Sequence, residues 1–453
     1  MPRLQVYLLV GAVIFKSLWL IPALSDRNRP LAPTLDAREY ETLARNLLNV
    51  GKFSLEPTAP YHPDALRTPL YPLFIAVIYF FLGHNPLIVA IVQVLISMIP
   101  LLLIWRLDFL DSETKRWTGI LYVFNVNIAF YAVQLLSEIL FMVLLISGLT
   151  LVYFFKGETR ASHFMAGGLF LGLATLTRPI VVFLPVIIAA FLLVSLRTNR
   201  LVMRLILFLF VYSAVVSTWC IRNLLVFDRF FLSSAFTYNL ASFDAPLVMA
   251  IEEKIDVNEA TERFWSAFDS EAAAVKPASK NDTMALQTRL AVDYLRRHPF
   301  SYLKVRSIGV ISILLTPLPL REALTFATGK SPEELNLTKR AAQNAMRLLS
   351  GGRLYEAARV LYKERIGKMP TSGLVVFALG VCYHTLLLFG VACFLIRRRR
   401  GRPGNDFLVL LIITVIYLLV IPGSLGYSRF RVPIEPVLVL LAGVGLARNQ
   451  GEP

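Results

Sequence analysis

Long apolar runs are the feature that most limits how this chain can fold. Roughly 20 apolar residues are enough to cross a bilayer as a helix, and such runs lie near residues 5–24, 85–106, 117–133, 137–155, 163–178, 179–196, 201–221, 373–396, 406–424 and 432–448. Inside hydrocarbon the backbone polar groups must be satisfied internally, so runs of this length read as helices. The expected fold is an all-α polytopic membrane protein with about ten transmembrane helices. The segments around Gln134 and Pro179 read as tight hairpins or closely joined helices. Composition agrees: 56% of residues are hydrophobic and 17% charged, against about 25% charged in soluble domains. Two further runs, Thr68–Gly83 and Ser307–Leu320, are short and carry two prolines each. They are expected to be interfacial or re-entrant rather than spanning.

The formal net charge is +16. In a soluble protein that would point to nucleic acid. In a polytopic membrane chain it marks cytoplasmic loops and contact with anionic lipid, and no nucleic-acid partner is expected. The basic loops are Lys115/Arg116, Arg197–Arg200 with Arg204, and Arg397–Arg402. With both termini cytoplasmic, all three fall on one side. Residues 25–84 and 222–372 then face outward, as expected for a multi-pass protein of a bacterial inner (plasma) membrane. The N-terminus has a basic start, an apolar stretch and small residues near Ala23 and Ser25, as signal peptides do. Lys16 interrupts that stretch and many runs follow, so it reads as an uncleaved first helix. Three parts are expected: a catalytic transmembrane module (1–221), an extracytoplasmic segment with amphipathic helices (222–372), and C-terminal transmembrane helices (373–453). Cys220, Cys382 and Cys393 have no paired spacing and the five histidines are scattered. Neither a disulfide framework nor a metal site is expected.

The first outward loop is charged yet patterned. From Asp36 to Val50 the apolar positions are Ala37, Tyr40, Leu43, Ala44, Leu47 and Leu48, the spacing of an amphipathic helix. Such a helix would lie on the outer leaflet, with Gly51 as its stop. Asp36 reads as its N-cap, with Glu39 completing a capping-box arrangement. Asp36 also reads as a rigidly placed carboxylate at the membrane boundary, kept ionised by the helix start and able to take a proton from a hydroxyl.

Charge is rare in the apolar runs but recurs at their outward ends. Arg67 precedes Pro69 and Pro72. It is either a snorkelling arginine or a phosphate ligand, to which guanidinium geometry is suited. Glu138 heads a run of about fifteen apolar residues, where an acid is costly and usually has a partner or a role. Arg178, Arg222 with Asn223, and Arg429 with Arg431 stand at further outward junctions. Acids and arginines gathered on one face suit an anionic lipid headgroup and a reacting hydroxyl.

The pieces "DAREYETLARNLLNVGKF", "RTPLYPLFIAVIYFFLG", "LLSEILF", "GLFLGLATLTRP", "WCIRN" and "SRFRVPIEP" occur in an order and spacing that resemble the C-type (GT-C) integral-membrane glycosyltransferases. The resemblance is to the branch of protein O-mannosyltransferases and lipid A aminoarabinose transferases. It covers most of residues 1–230 and the C-terminal runs. It implies transfer of a sugar from a polyprenyl-phosphate donor to a hydroxyl of a lipid, glycan or protein; no cofactor is expected beyond that donor, and no metal is implied. It also implies Asp36 as the catalytic acid of the first loop, although the next position, often acidic in that family, is Ala37 here. Glu138 would be the second-loop acid. Arg67, Arg178 and Arg429 would hold the donor phosphate. Glu39, Tyr40, Tyr71, Arg222 and Arg431 are possible supporting residues.

Two other classes fit the runs without the chemistry. A transporter or flippase of lipid-linked sugars should carry mid-span polar residues and repeat symmetry. The sequence offers mainly Lys16, Asn125 and Asn127, and no repeat. A non-catalytic membrane scaffold would use the outward charges only as interface anchors.

Overall fold

The computed structural model describes residues 2–21, 34–153, 161–195, 201–277, 279–317, 344–345, 347–349, 351–364, 366–368, 371–397, 404–422, 424 and 426–447. Helix dominates them and no strand occurs among them. The first apolar run forms α1 (Pro2–Ser17). The charged loop contributes α2 (Leu35–Val50). Apolar chain then supplies α3 (Leu70–Leu82), α4 (Pro86–Ile96), α5 (Ile99–Trp105), α6 (Ser112–Val123), α7 (Val126–Ala132), α8 (Glu138–Tyr153), α9 (Ala161–Thr177), α10 (Leu184–Ser195) and α11 (Leu201–Phe227). A second set follows: α12 (Ala235–Asn239), α13 (Ala245–Glu252), α14 (Val257–Val275), α15 (Lys280–Arg297) and α16 (Pro299–Leu315). The chain ends with α17 (Leu354–Glu364), α18 (Thr371–Arg397), α19 (Asn405–Val420) and, after a 3₁₀ segment at Ser428–Ile434, α20 (Glu435–Leu446).

The architecture is that of an all-α polytopic membrane protein. Among the described residues, four helices are long and apolar enough to cross a membrane: Arg3–Leu20, Pro86–Trp105, Leu201–Phe227 and Phe377–Ile396. Five more apolar helices have 10–17 residues. The run 117–133 breaks at Phe124 because Asn125 leaves helical geometry and caps α7, accepting from the Ile128 amide at 2.8 Å. Thr68–Gly83 becomes the 13-residue α3. Ser307–Leu315 is no separate element but the second half of α16, which ends at Thr316; Leu318–Leu320 lie outside the described residues. Arg197–Arg200, Arg398–Arg402 and most of the helical text at Ser331–Leu349 lie outside them too.

The helices pack closely through small residues, as membrane bundles do. A Cβ added at Gly445 would lie 2.0 Å from the Gly390 carbonyl oxygen, so α20 and α18 meet backbone to backbone there. At the other end of this pair, α20 begins beside Asn125. The rings of Phe109 and Phe407 sit 6.4 Å apart, which places the loop before Lys115 and Arg116 beside the start of α19. The charged residues described next gather at the opposite end. A second, smaller core joins the helices of this second set, with Leu240, Val248, Phe264, Leu295 and Val305 buried together.

Candidate functional site

Asp36 does not cap α2. Thr34 has the extended backbone of an N-cap, and its hydroxyl accepts from the Ala37 amide at 3.3 Å. Asp36 therefore sits in the first turn, where the helix dipole favours its charge and its side chain is free to turn outward. Glu39 closes no capping box either. It receives Nε of Arg67 at 2.8 Å. Only the stop is as expected: Gly51 adopts φ +65 at the C-terminal end, the left-handed conformation for which glycine is suited.

The two acids instead enter a chain of six charges drawn from separate parts of the sequence. Arg67 Nη2 donates to Asp36 Oδ1 at 2.7 Å and bonds Glu39 as well. Arg429, 393 positions away, donates from Nη1 to the other oxygen of Asp36 and from Nε to Glu138. Arg178 Nη1 donates to the same Glu138 oxygen at 2.5 Å. The order is Glu39, Arg67, Asp36, Arg429, Glu138, Arg178: three carboxylates and three guanidiniums, alternating and formally neutral.

Local structure explains each placement. Arg67 stands on a stiff approach to Pro69, its amide held at 2.7 Å by Asp64 and its guanidinium 5.1 Å above the Tyr40 ring. Tyr40 in turn bonds Ser137 at 3.3 Å, one residue before Glu138. Arg178 follows the end of α9 in extended geometry and lies 5.4 Å above the Phe430 ring. Cation–ring contacts of this kind contribute about 0.5–2 kcal/mol, more where water is excluded. The depth of the acids differs. The Glu138 side chain is fully buried, whereas that of Asp36 keeps 30% exposure. Burial raises the Asp36 carboxyl, but the charges of Arg429 and Arg67 outweigh it and hold the group well below the usual carboxylate range.

Six of the sequence-predicted residues thus meet: Asp36, Glu39, Arg67, Glu138, Arg178 and Arg429. Tyr40 supports them from below. Tyr71 is one layer deeper, packed edge-on to Tyr40 with ring centroids 4.8 Å apart and donating to Gln93 at 2.8 Å. Arg222 and Arg431 do not join the cluster. Arg222 donates to the Asp64 carbonyl at 3.0 Å and lies 4.7 Å above the Trp219 ring, so it braces the loop that carries Arg67. Arg431 turns into the protein and pairs with Glu435. Ser137, Asp64 and Glu435 were not singled out in the sequence. Glu435 carried a signal, an acid at the head of the last apolar run. Among the described residues no group of three or more His, Cys, Asp or Glu could hold a metal ion.

The chain is similar to two solved structures of ArnT from Cupriavidus metallidurans, one in the apo state and one bound to undecaprenyl phosphate. Both are 14% identical to it, with TM-scores of 0.37 and 0.40. Each comparison covers 96% of this chain and 77% of the other. No family model and no curated protein matches the chain.

Proposed function

We propose that this protein is an integral-membrane glycosyltransferase. It would move a sugar from a polyprenyl-phosphate donor to a hydroxyl acceptor at the extracytoplasmic face of a bacterial inner membrane, with both termini cytoplasmic. The reading is carried by one observation: three arginines from distant segments share three carboxylates at one end of the helices. A structural ion pair needs one cation. Three, balanced to neutrality and only partly buried, form a site that can redistribute its bonds when a phosphate arrives.

The redistribution follows from the donors. A guanidinium offers five N–H groups, and Arg429, Arg67 and Arg178 each direct only part of theirs at the carboxylates. The remainder can take phosphate oxygens in the bidentate geometry that guanidinium favours. As Arg67 or Arg429 turns toward phosphate, its hold on Asp36 weakens. A carboxylate clamped by two cations is a poor base; one released from a clamp is a better one. The acceptor oxygen would then attack the anomeric carbon while the bond from that carbon to the phosphate oxygen breaks. Asp36 takes the hydroxyl proton, and the lipid phosphate leaves with both electrons of the broken bond, its charge met by the arginines. General-base assistance of this kind is worth about 10²–10⁴-fold. Nothing in the steps calls on a nucleotide or another cofactor.

The transporter reading draws on the buried Arg431–Glu435 pair, charge among apolar helices. Yet that pair is saturated by amides and backbone carbonyls, as set out below, so it fits a fixed joint better than a path for cargo. A single assay separates the two. The protein is placed in vesicles with a radiolabelled polyprenyl-phosphate sugar and cell-envelope acceptors. The transferase reading requires a labelled glycoside from the wild type and loss of it in Asp36→Ala; label crossing the vesicle wall with no glycoside formed would overturn it.

A further inference from the structure

Arg429 and Arg431 are two residues apart on one 3₁₀ segment, Ser428–Ile434. At about 120° per residue, side chains two apart leave the segment in different directions. Arg429 goes to Asp36 and Glu138. Arg431, 1% exposed, goes into the protein. Its Nε donates to Glu435 Oε1 at 2.7 Å, and its Nη1 donates at 2.7 Å to the carbonyls of both Ile313 and Thr316 at the end of α16. Glu435 is equally buried. It receives Asn127 Nδ2 on Oε1 at 3.0 Å and Asn125 Nδ2 on Oε2 at 2.9 Å. Asn127 Nδ2 also reaches the Ser428 carbonyl at 3.4 Å, directly before Arg429. From the other side Ser312 Oγ donates to the Gly426 carbonyl at 2.8 Å, and Asp244 bonds Ser424.

The segment that carries Arg429 is therefore gripped from α7, from α16 and from the π-helical turn at Leu240–Asp244. Glu435 is the hub where the grips from α7 and, through Arg431, from α16 converge. Buried charge pairs add little stability over apolar packing of the same shape, and their best-attested use is to specify one arrangement. Here the arrangement specified is the direction of Arg429. We infer that Glu435, through Asn125, Asn127 and Arg431, is a positioning residue that fixes the Ser428–Ile434 segment and so aims Arg429 at the donor phosphate. The aim at phosphate rests on the function proposed above; the fixing of the segment does not.

The test uses full-length protein in detergent with undecaprenyl phosphate as the probe, and the variants Glu435→Gln, Arg429→Ala and the two combined. Glu435→Gln should weaken binding of the probe by about tenfold, the effect of losing one charge-assisted contact, and should weaken it no further once Arg429 is gone. An equal loss in both backgrounds is what a merely structural role gives, and it overturns the positioning role. Hydrogen exchange is read on the same samples. Glu435→Gln should speed exchange across residues 424–434 and leave residues 36–50 unchanged, and unchanged exchange across 424–434 overturns the inference whatever the probe does. If the wild type does not bind the probe, the donor reading fails and the exchange result decides the fixing of the segment by itself. If Glu435→Gln does not fold, Asn127→Ala removes only the amide bonds to Glu435 and Ser428 and answers the same question by the same two readouts.

Discussion

Arg429 and Arg431 make the most instructive comparison in this molecule. Both are arginines on the same 3₁₀ segment, and both meet carboxylates. Arg429 shares two acids with two other arginines in a cluster where the Asp36 side chain keeps 30% exposure. Arg431 and Glu435 are each 1% exposed, and their remaining partners are amides and carbonyls that cannot leave. One network keeps access to solvent and the other does not. The same residue types form an accessible cluster in the first case and a closed joint in the second, and what separates them is access together with the nature of the partners.

Five substitutions or conditions bear on that contrast, in falling order of effect. Replacing Asp36 by Asn should lower sugar transfer about 10²–10⁴-fold and destabilise the protein in detergent less than Glu435→Ala does; a larger loss of stability would place Asp36 with the architectural pair. Glu435→Ala strands a buried guanidinium and should destabilise the fold by about 3–5 kcal/mol, measured by denaturant or thermal unfolding in micelles. A neutral result would remove the distinction. Arg67→Lys keeps the charge but cannot span Glu39 and Asp36 together, so transfer should fall by about tenfold, the effect of losing one charge-assisted contact, with little change in expression or folding. Arg222→Lys should act only through the Asp64 carbonyl and the Trp219 face. A few-fold loss of transfer, smaller than that of Arg67→Lys, would mark it as a brace.

The smallest effect is that of pH. Asp36 is held below its ordinary value, so its ion pairs contribute stability that is complete above the unfolded value of about 3.9 and is lost as pH falls through the folded one. The stability difference between wild type and Asp36→Asn should be flat from neutral pH down to about pH 5 and shrink only in more acidic solution. A difference that disappears near neutrality would contradict the clamped carboxylate.

Much of this was legible in the sequence because it follows from local rules. The apolar runs announced the helices, the 3.6-residue spacing from Ala37 to Leu48 announced α2, and Gly51 announced its end. The outward-end charges could be gathered on one face by counting runs, and six of them meet in the structure. Their pairing could not be read, because Asp36 and Arg429 are joined across almost the whole chain. The cap of α2 is not fixed by the sequence, because Thr34 and Asp36 are both good caps; in the structure Thr34 takes the cap and Asp36 meets two distant arginines. The break at Asn125 was hidden for a similar reason. Its neighbours are apolar, and the acid that its amide serves lies in the last helix.

A structure of the protein with bound undecaprenyl phosphate tests the central claim most directly. The account predicts phosphate oxygens within hydrogen-bond reach of Arg67, Arg178 or Arg429, and at least one of the two guanidiniums on Asp36 turned away from it. A phosphate bound elsewhere, with the six-charge chain intact and Asp36 still held by both arginines, would contradict it.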